Sequence, residues 1–145
     1  MRNISIFNNT IMTENNYKKA YLAGGCFWGM EELFRKQAGV VDTQVGYMGG
    51  HVDEPTYRNH AGHAEAIRVS YDSDITSYQR VLDYFFTIHD PTTKDRQGND
   101  RGDSYRSAIF YQNSDEKLQA EGMIEIVNQS GRWMAPVVTS LEEFA

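Results

Sequence analysis

Three features of this 145-residue chain predict an α+β fold, a ferredoxin-like (split βαβ) two-layer sandwich with a mixed or antiparallel sheet and helices on one face. Four β-type runs alternate with two helical patterns in the order β-α-β-β-α-β, with a further helix near the C-terminus. Glycines mark the junctions between these segments. Two long stretches without any period, MGGHVDEPTYRNHAGH and DPTTKDRQGNDRGDSY, exceed what a compact domain spends on simple connection, which marks them as functional loops. Residues 17–145 form a single domain, and residues 1–16, rich in asparagine and without period, are expected to be a flexible leader.

The first strand runs from Tyr17 to Gly24, and after Cys26 the residues Phe27, Met30, Leu33 and Phe34 recur at helical spacing until Gly39. Val40 to Tyr47 is a second strand. Ala64 to Tyr71 is a third, with Glu65, Ile67, Val69 and Tyr71 on one face and Ala64, Ala66, Arg68 and Ser70 on the other. The clearest helix follows: Thr76 and Gln79 form a capping box, and Tyr78, Val81, Leu82, Phe85, Phe86 and His89 make the apolar stripe. Ser107 to Tyr111 is a fourth strand. Ser114 is predicted to cap a last helix carrying Leu118, Met123, Ile126 and Val127, and a short strand is expected near Val137 and Val138.

Composition excludes several classes. A formal charge of -6 provides no basic footprint for nucleic acid or an anionic membrane. No run approaches the roughly 18 apolar residues of a membrane span, and no secretory signal pattern opens the chain. A single cysteine cannot form an internal disulfide, so a reducing compartment, the cytoplasm, is expected. A monomer is expected. Nine tyrosines and two tryptophans supply rings with polar handles for an aromatic-lined site.

That one cysteine lies in the stretch GGCFWG, between a strand and a helix. Free backbone N–H groups and the positive end of the helix dipole converge there, which favours thiolate, the reactive form. Flanking glycines let a substrate approach the backbone. His51, His60 and His63 cluster in the first long loop, with His89 elsewhere, but structural metal sites combine histidines with cysteines or carboxylates at short fixed spacing. No metal site is expected, and solvated loop histidines are the simpler reading, with His63 orienting the strand that follows it.

GCFWG at 25–29, GYMGG at 46–50, PTY at 55–57, GHAEA at 62–66 and HDPTTKDRQGNDRGDSYRSAIF at 89–110 together resemble the A-type peptide methionine sulfoxide reductases. The resemblance spans roughly residues 19–129. It implies attack of the Cys26 thiolate on the sulfur of methionine sulfoxide, free or in proteins, giving methionine and a sulfenic acid at Cys26. It implies Glu65 as the acid for the sulfoxide oxygen, and the strand alternation supports this independently: an apolar face desolvates the carboxyl and keeps it protonated. Tyr57 and Tyr105 match tyrosines whose hydroxyls bond the sulfoxide oxygen, and Asp100 matches a carboxylate that orders the site. Phe27 and Trp28, with Gly25 and Gly29 around them, resemble the pocket for the substrate methyl group.

Two departures stand out. Many relatives carry further cysteines near the C-terminus that resolve the sulfenic acid. This sequence ends SLEEFA with none, so no bound cofactor and an external thiol reductant, thioredoxin or glutaredoxin with glutathione, are expected. The loop between Tyr57 and Glu65 is also shorter than in some relatives. The competing readings are a cysteine hydrolase or acyltransferase using Cys26 with His63 or His89 as base, and a noncatalytic thiol-bearing binding module.

Overall fold

β1 (Lys18–Gly24), α1 (Phe27–Phe34), β2 (Val40–Met48), β3 (Ala64–Tyr71), α2 (Tyr78–Ile88), β4 (Arg96–Gln97), β5 (Asp100–Arg101), β6 (Ser107–Tyr111), α3 (Ser114–Ser130) and β7 (Ser140–Glu143) follow one another in this computed structural model. It describes residues 17–144. The leader expected at 1–16 lies outside the described residues.

Five strands form one mixed sheet in the order β2-β3-β1-β6-β7. β1 pairs antiparallel with β3 and β6, β2 pairs antiparallel with β3, and β7 adds to β6 in parallel. The first four strands therefore have the split βαβ order that the sequence predicts, with β7 as an addition at one edge. All three helices share one core with one face of the sheet. Met30 and Phe34 of α1, Val81, Leu82, Phe85 and Phe86 of α2, and Ala120, Met123 and Val127 of α3 pack with Leu22, Ile67, Val69 and Ile109. Each of these side chains other than Ala120 contributes roughly 1.5–3 kcal/mol by leaving water. The opposite face carries small residues, Ala23, Ala64, Ala66 and Ala108, with Tyr21, Met48 and Phe110, and Phe144 packs its ring 4.2 Å from Tyr21.

Several local expectations shift. Ser77, not Thr76, caps α2 and accepts from the Arg80 N–H, and Asn113, not Ser114, caps α3 and accepts from the Glu116 N–H. In both places two adjacent residues have capping side chains, and backbone geometry selects one. His89 lies past the end of α2 in extended backbone, buried all the same. On α3, Leu118 and Ile126 are 67% and 51% exposed; the buried face follows Ala120, Met123 and Val127 at helical spacing. The last strand forms at 140–143, because Val137 and Val138 spend their N–H groups on Asn128 Oδ1 and the Pro91 carbonyl outside the sheet. Among the described residues, no helix is long and apolar enough to cross a membrane.

Candidate functional site

Cys26 is the N-cap of α1: its carbonyl accepts the first helical bond from the Met30 N–H, and its thiol is exposed. Gly25 makes the turn from β1 into α1 at φ +95°, a conformation that L side chains rarely adopt. Space excludes a side chain as well. A Cβ on Gly25 would stand 2.6 Å from Gln97 Cγ, and one on Gly24 would stand 2.9 Å from Met30 Cε and 3.0 Å from His89 Cγ. Gln97 is itself fixed, accepting from the Asp90 N–H at 2.8 Å and donating to the Asp90 carbonyl at 2.8 Å. The segment carrying the thiol is thus clamped from below by His89 and from one side by the short β4–β5 hairpin, whose turn is made by Gly98 at φ +59°.

Glu65 stands on β3 directly opposite Tyr47 of β2 and is only 3% exposed. Its Oε1 accepts the N–H of Phe27, the first residue of α1, at 3.2 Å. A buried carboxyl is therefore bonded to the same helix end that carries the thiol. Burial pushes the Glu65 carboxyl above the ordinary carboxylate range, with a smaller push from Asp100, while the Phe27 bond and His60 pull the other way. The Tyr47 hydroxyl, also buried, is pushed up to about 12, first by desolvation and then by Glu65, Tyr57 and Tyr105. Both shifts favour the protonated form.

Tyr57 and Tyr105 come from the two long loops. Tyr57 stacks on Trp28 with ring centroids 5.6 Å apart, and the two are 57% and 56% exposed, forming an open aromatic shelf beside Cys26. Phe27 meets Trp28 edge-on at 5.1 Å and Tyr47 at 5.3 Å, and is buried. Tyr105 ends a single 3₁₀ turn, Asp103–Tyr105. Burial first, and then Glu65, Asp100, Tyr57 and Cys26, push the proton affinity of its hydroxyl above that of an ordinary tyrosine. Asp100 opens β5 and is exposed. The Arg106 guanidinium braces the loops from behind, pairing with Glu142 at 3.0 Å and donating to the carbonyls of Gly62 and Asp103.

The structure thus gathers Cys26, Glu65, Tyr57, Tyr105, Asp100, Phe27 and Trp28. Gly25 is buried beneath Gln97 and acts through the backbone turn rather than as an open surface, whereas Gly29 lies on the exposed face of α1, where a Cβ would meet nothing. Sequence reasoning missed Tyr47 and Gln97. The β2–β3 register would have revealed Tyr47, since residues facing each other across a hairpin share a face. Gln97 had no such signal. Of the loop histidines, His51 is exposed as expected and His60 is half-buried, while His63 is fully buried, accepting from Gly50 N–H at Nδ1 and bonding Val52 O through Nε2, in keeping with the orienting part expected of it. It ties the GYMGG segment to the start of β3. Among the described residues, no group of three His, Cys, Asp or Glu side chains is placed to hold a metal ion. The cavity of about 200 Å³ lined by Phe34, Val40, Ile75 and Tyr84 lies at the other end of α1 and contains no cysteine.

A lone exposed thiol and a buried carboxyl whose burial favours its protonated form meet at one helix end of an α+β fold. The family model described as peptide methionine sulfoxide reductase matches residues 18–145, and the chain belongs to that family. It is 60% identical over 127 residues to the peptide methionine sulfoxide reductase MsrA of Mycobacterium sp. (strain JLS), covering 88% of this chain and 74% of that one. Among solved structures, the fold matches Mxr1 from Saccharomyces cerevisiae in reduced form with TM-score 0.82 at 31% identity, covering 91% of this chain and 78% of that one. It also matches methionine sulfoxide reductase A of Corynebacterium diphtheriae, with TM-score 0.76 at 31% identity, covering 92% and 68% of the two chains.

Proposed function

We propose that this chain reduces methionine S-sulfoxide, free or within proteins, to methionine, and thereby repairs oxidised proteins, with Cys26 as nucleophile and Glu65 as proton donor. The observation that carries the assignment of roles is the Phe27 N–H to Glu65 bond, which ties the carboxyl to the end of the helix that Cys26 caps. The thiolate attacks the sulfoxide sulfur and forms a sulfur–sulfur bond, Glu65 delivers a proton to the oxygen as the sulfur–oxygen bond breaks, and the hydroxide so freed adds to the cysteine sulfur, breaking the sulfur–sulfur bond and releasing methionine. The oxygen ends on Cys26 as a sulfenic acid, so the cysteine sulfur is oxidised by two electrons and the substrate sulfur is reduced by two. The hydroxyls of Tyr57 and Tyr105 bond the developing charge on oxygen, and Asp100 orders that side of the site. Phe27 and Trp28 face the substrate methyl group, an apolar contact of the kind sulfur compounds make with rings. The S epimer follows from the family, because each sulfoxide epimer has its own enzyme.

Recycling requires a thiol that forms a disulfide with Cys26 and releases water, then a second thiol that restores the cysteine. Cys26 is the only cysteine of this sequence and is exposed, which supports an external reductant, thioredoxin or glutaredoxin with glutathione. An exposed free thiol suits a reducing compartment such as the cytoplasm. The hydrolase reading fails on geometry. His63 spends its ring nitrogens on Gly50 and Val52, and His89 spends its own on the Phe85 carbonyl and Ser107 Oγ, so neither is free to act as base. With dithiothreitol as reductant, the S epimer should turn over, the R epimer should not, and Cys26→Ser should abolish turnover. Equal turnover of the two epimers, or an active Cys26→Ser, would contradict the proposal.

A further inference from the structure

The two loops that bear Tyr57 and Tyr105 meet at one imidazole. His60 places Nδ1 2.8 Å from the Thr56 carbonyl oxygen and Nε2 2.9 Å from Ser104 Oγ. A carbonyl only accepts, so Nδ1 carries a proton and donates it, which leaves Nε2 of the neutral ring to accept from the Ser104 hydroxyl. Thr56 immediately precedes Tyr57, and Ser104 immediately precedes Tyr105. The face of the ring lies on Tyr47, with centroids 4.5 Å apart and planes 20° apart, and Tyr47 is the residue opposite Glu65. One side chain therefore touches a direct neighbour of each of three groups in the site: Tyr57, Tyr105 and Glu65.

We infer that His60 is a positioning residue, a clasp that sets both tyrosines against the Cys26–Glu65 pair; this rests on the proposed sulfoxide reduction. Both tyrosines sit outside the five-stranded sheet and the three α-helices, Tyr105 at the end of a single 3₁₀ turn. Loop residues that must be ordered at the moment of reaction raise the barrier, and small misplacements of catalytic groups lower rates steeply. The clasp orders them in advance. It also survives a second proton on the ring, because Ser104 Oγ can rotate to accept. Arg106 joins the same two loops further back, at Gly62 and Asp103, so removing His60 loosens the tyrosine-bearing tips while the loops stay attached.

The test measures methionine release in a single turnover without reductant, at saturating S-sulfoxide, for wild type, His60→Ala, His60→Gln, Ser104→Ala and the double variant. A second readout, independent of chemistry, is acrylamide quenching of Trp28 in a Trp133→Phe background, since Tyr57 stacks on Trp28. His60→Ala should slow release by about tenfold or more with little change in half-saturation, and should leave Trp28 more open to quencher. Ser104→Ala should do the same to a smaller extent, and the double variant should be no slower than His60→Ala, because the two residues act through one bond. His60→Gln, whose amide reaches toward Ser104, should recover part of the rate. Additive losses in the double variant, or a His60→Ala within twofold of wild type in both readouts, overturn the inference. If His60→Ala does not fold, a Ser104→Ala that matches wild type in both readouts overturns it as well. Wild type that releases no methionine sinks the proposed function instead, and the quenching experiment alone then decides the clasp.

Discussion

Replacing Glu65 by Gln should remove activity and stabilise the protein at once. Gln keeps the shape and an oxygen that can accept the Phe27 N–H bond, now 3.2 Å long, but it has no acidic proton to give. Loss of a positioned proton donor lowers a rate by about 10²–10⁴-fold. The stability effect follows from the raised pKa of the buried carboxyl, whose first cause is desolvation. A carboxyl with its folded pKa above the unfolded value favours the folded state below the unfolded value, and that advantage is lost as pH rises through the folded pKa. Wild type therefore carries a penalty at alkaline pH, about 1.4 kcal/mol for every tenfold by which folding raises the proton affinity of the carboxyl, which the neutral amide escapes. Denaturant unfolding of both proteins from pH 4 to pH 9 should show their curves converging at the acid end and the Glu65→Gln variant more stable at the alkaline end. Single-turnover methionine release, measured on the same samples, should be lost in the variant. A variant that is less stable than wild type at pH 9, or one that keeps its rate within tenfold, would refute the assignment of Glu65 as a neutral acid.

His89 is buried with both nitrogens bonded, and burial lowers its pKa from the ordinary 6.5 to about 4. Stability should fall as pH drops from about 6.5 to about 4, by about 3 kcal/mol in all, and His89→Gln should flatten that fall in thermal or urea unfolding. Gly25→Ala must place a Cβ 2.6 Å from Gln97 at φ +95°; a loss of about 1–3 kcal/mol and a slower Cys26 reaction are expected, read by unfolding midpoint and by single-turnover rate. Asn113→Ala should cost about 1 kcal/mol through the lost cap on α3, while Ser114→Ala should change stability by less than about 0.5 kcal/mol.

Where the sequence was legible, one physical signal dominated. β3 is predicted to the residue because alternation and glycine punctuation agree, and the core face of α2 is predicted because Tyr78, Val81, Leu82, Phe85 and Phe86 leave no other face to bury. Cys26 was legible from a strand-to-helix turn that fixes where the thiol sits; for Glu65 strand alternation gave only the face, and the GHAEA resemblance singled out the residue. What failed depends on contacts distant in sequence. Capping side chains adjoin each other at 76–77 and 113–114, so composition alone cannot choose between them. The β4–β5 hairpin is two residues on each side and is pinned by Gln97 to Asp90, with no period to announce it. Leu118 and Ile126 look like core residues until the packing of α3 against the sheet reveals which stripe is covered. His60 reads as a polar loop residue, and its bond to Ser104 spans 44 positions that only the folded loops bring together.

The most direct test of the central claim uses the reduced protein alone. Incubated without reductant with each purified epimer of methionine sulfoxide, it should release about one methionine per chain from the S epimer and none from the R epimer, as a single thiol able to react once requires. The mass of the protein should rise by one oxygen and its one free thiol should disappear. Methionine from neither epimer, with the thiol intact, would contradict the account.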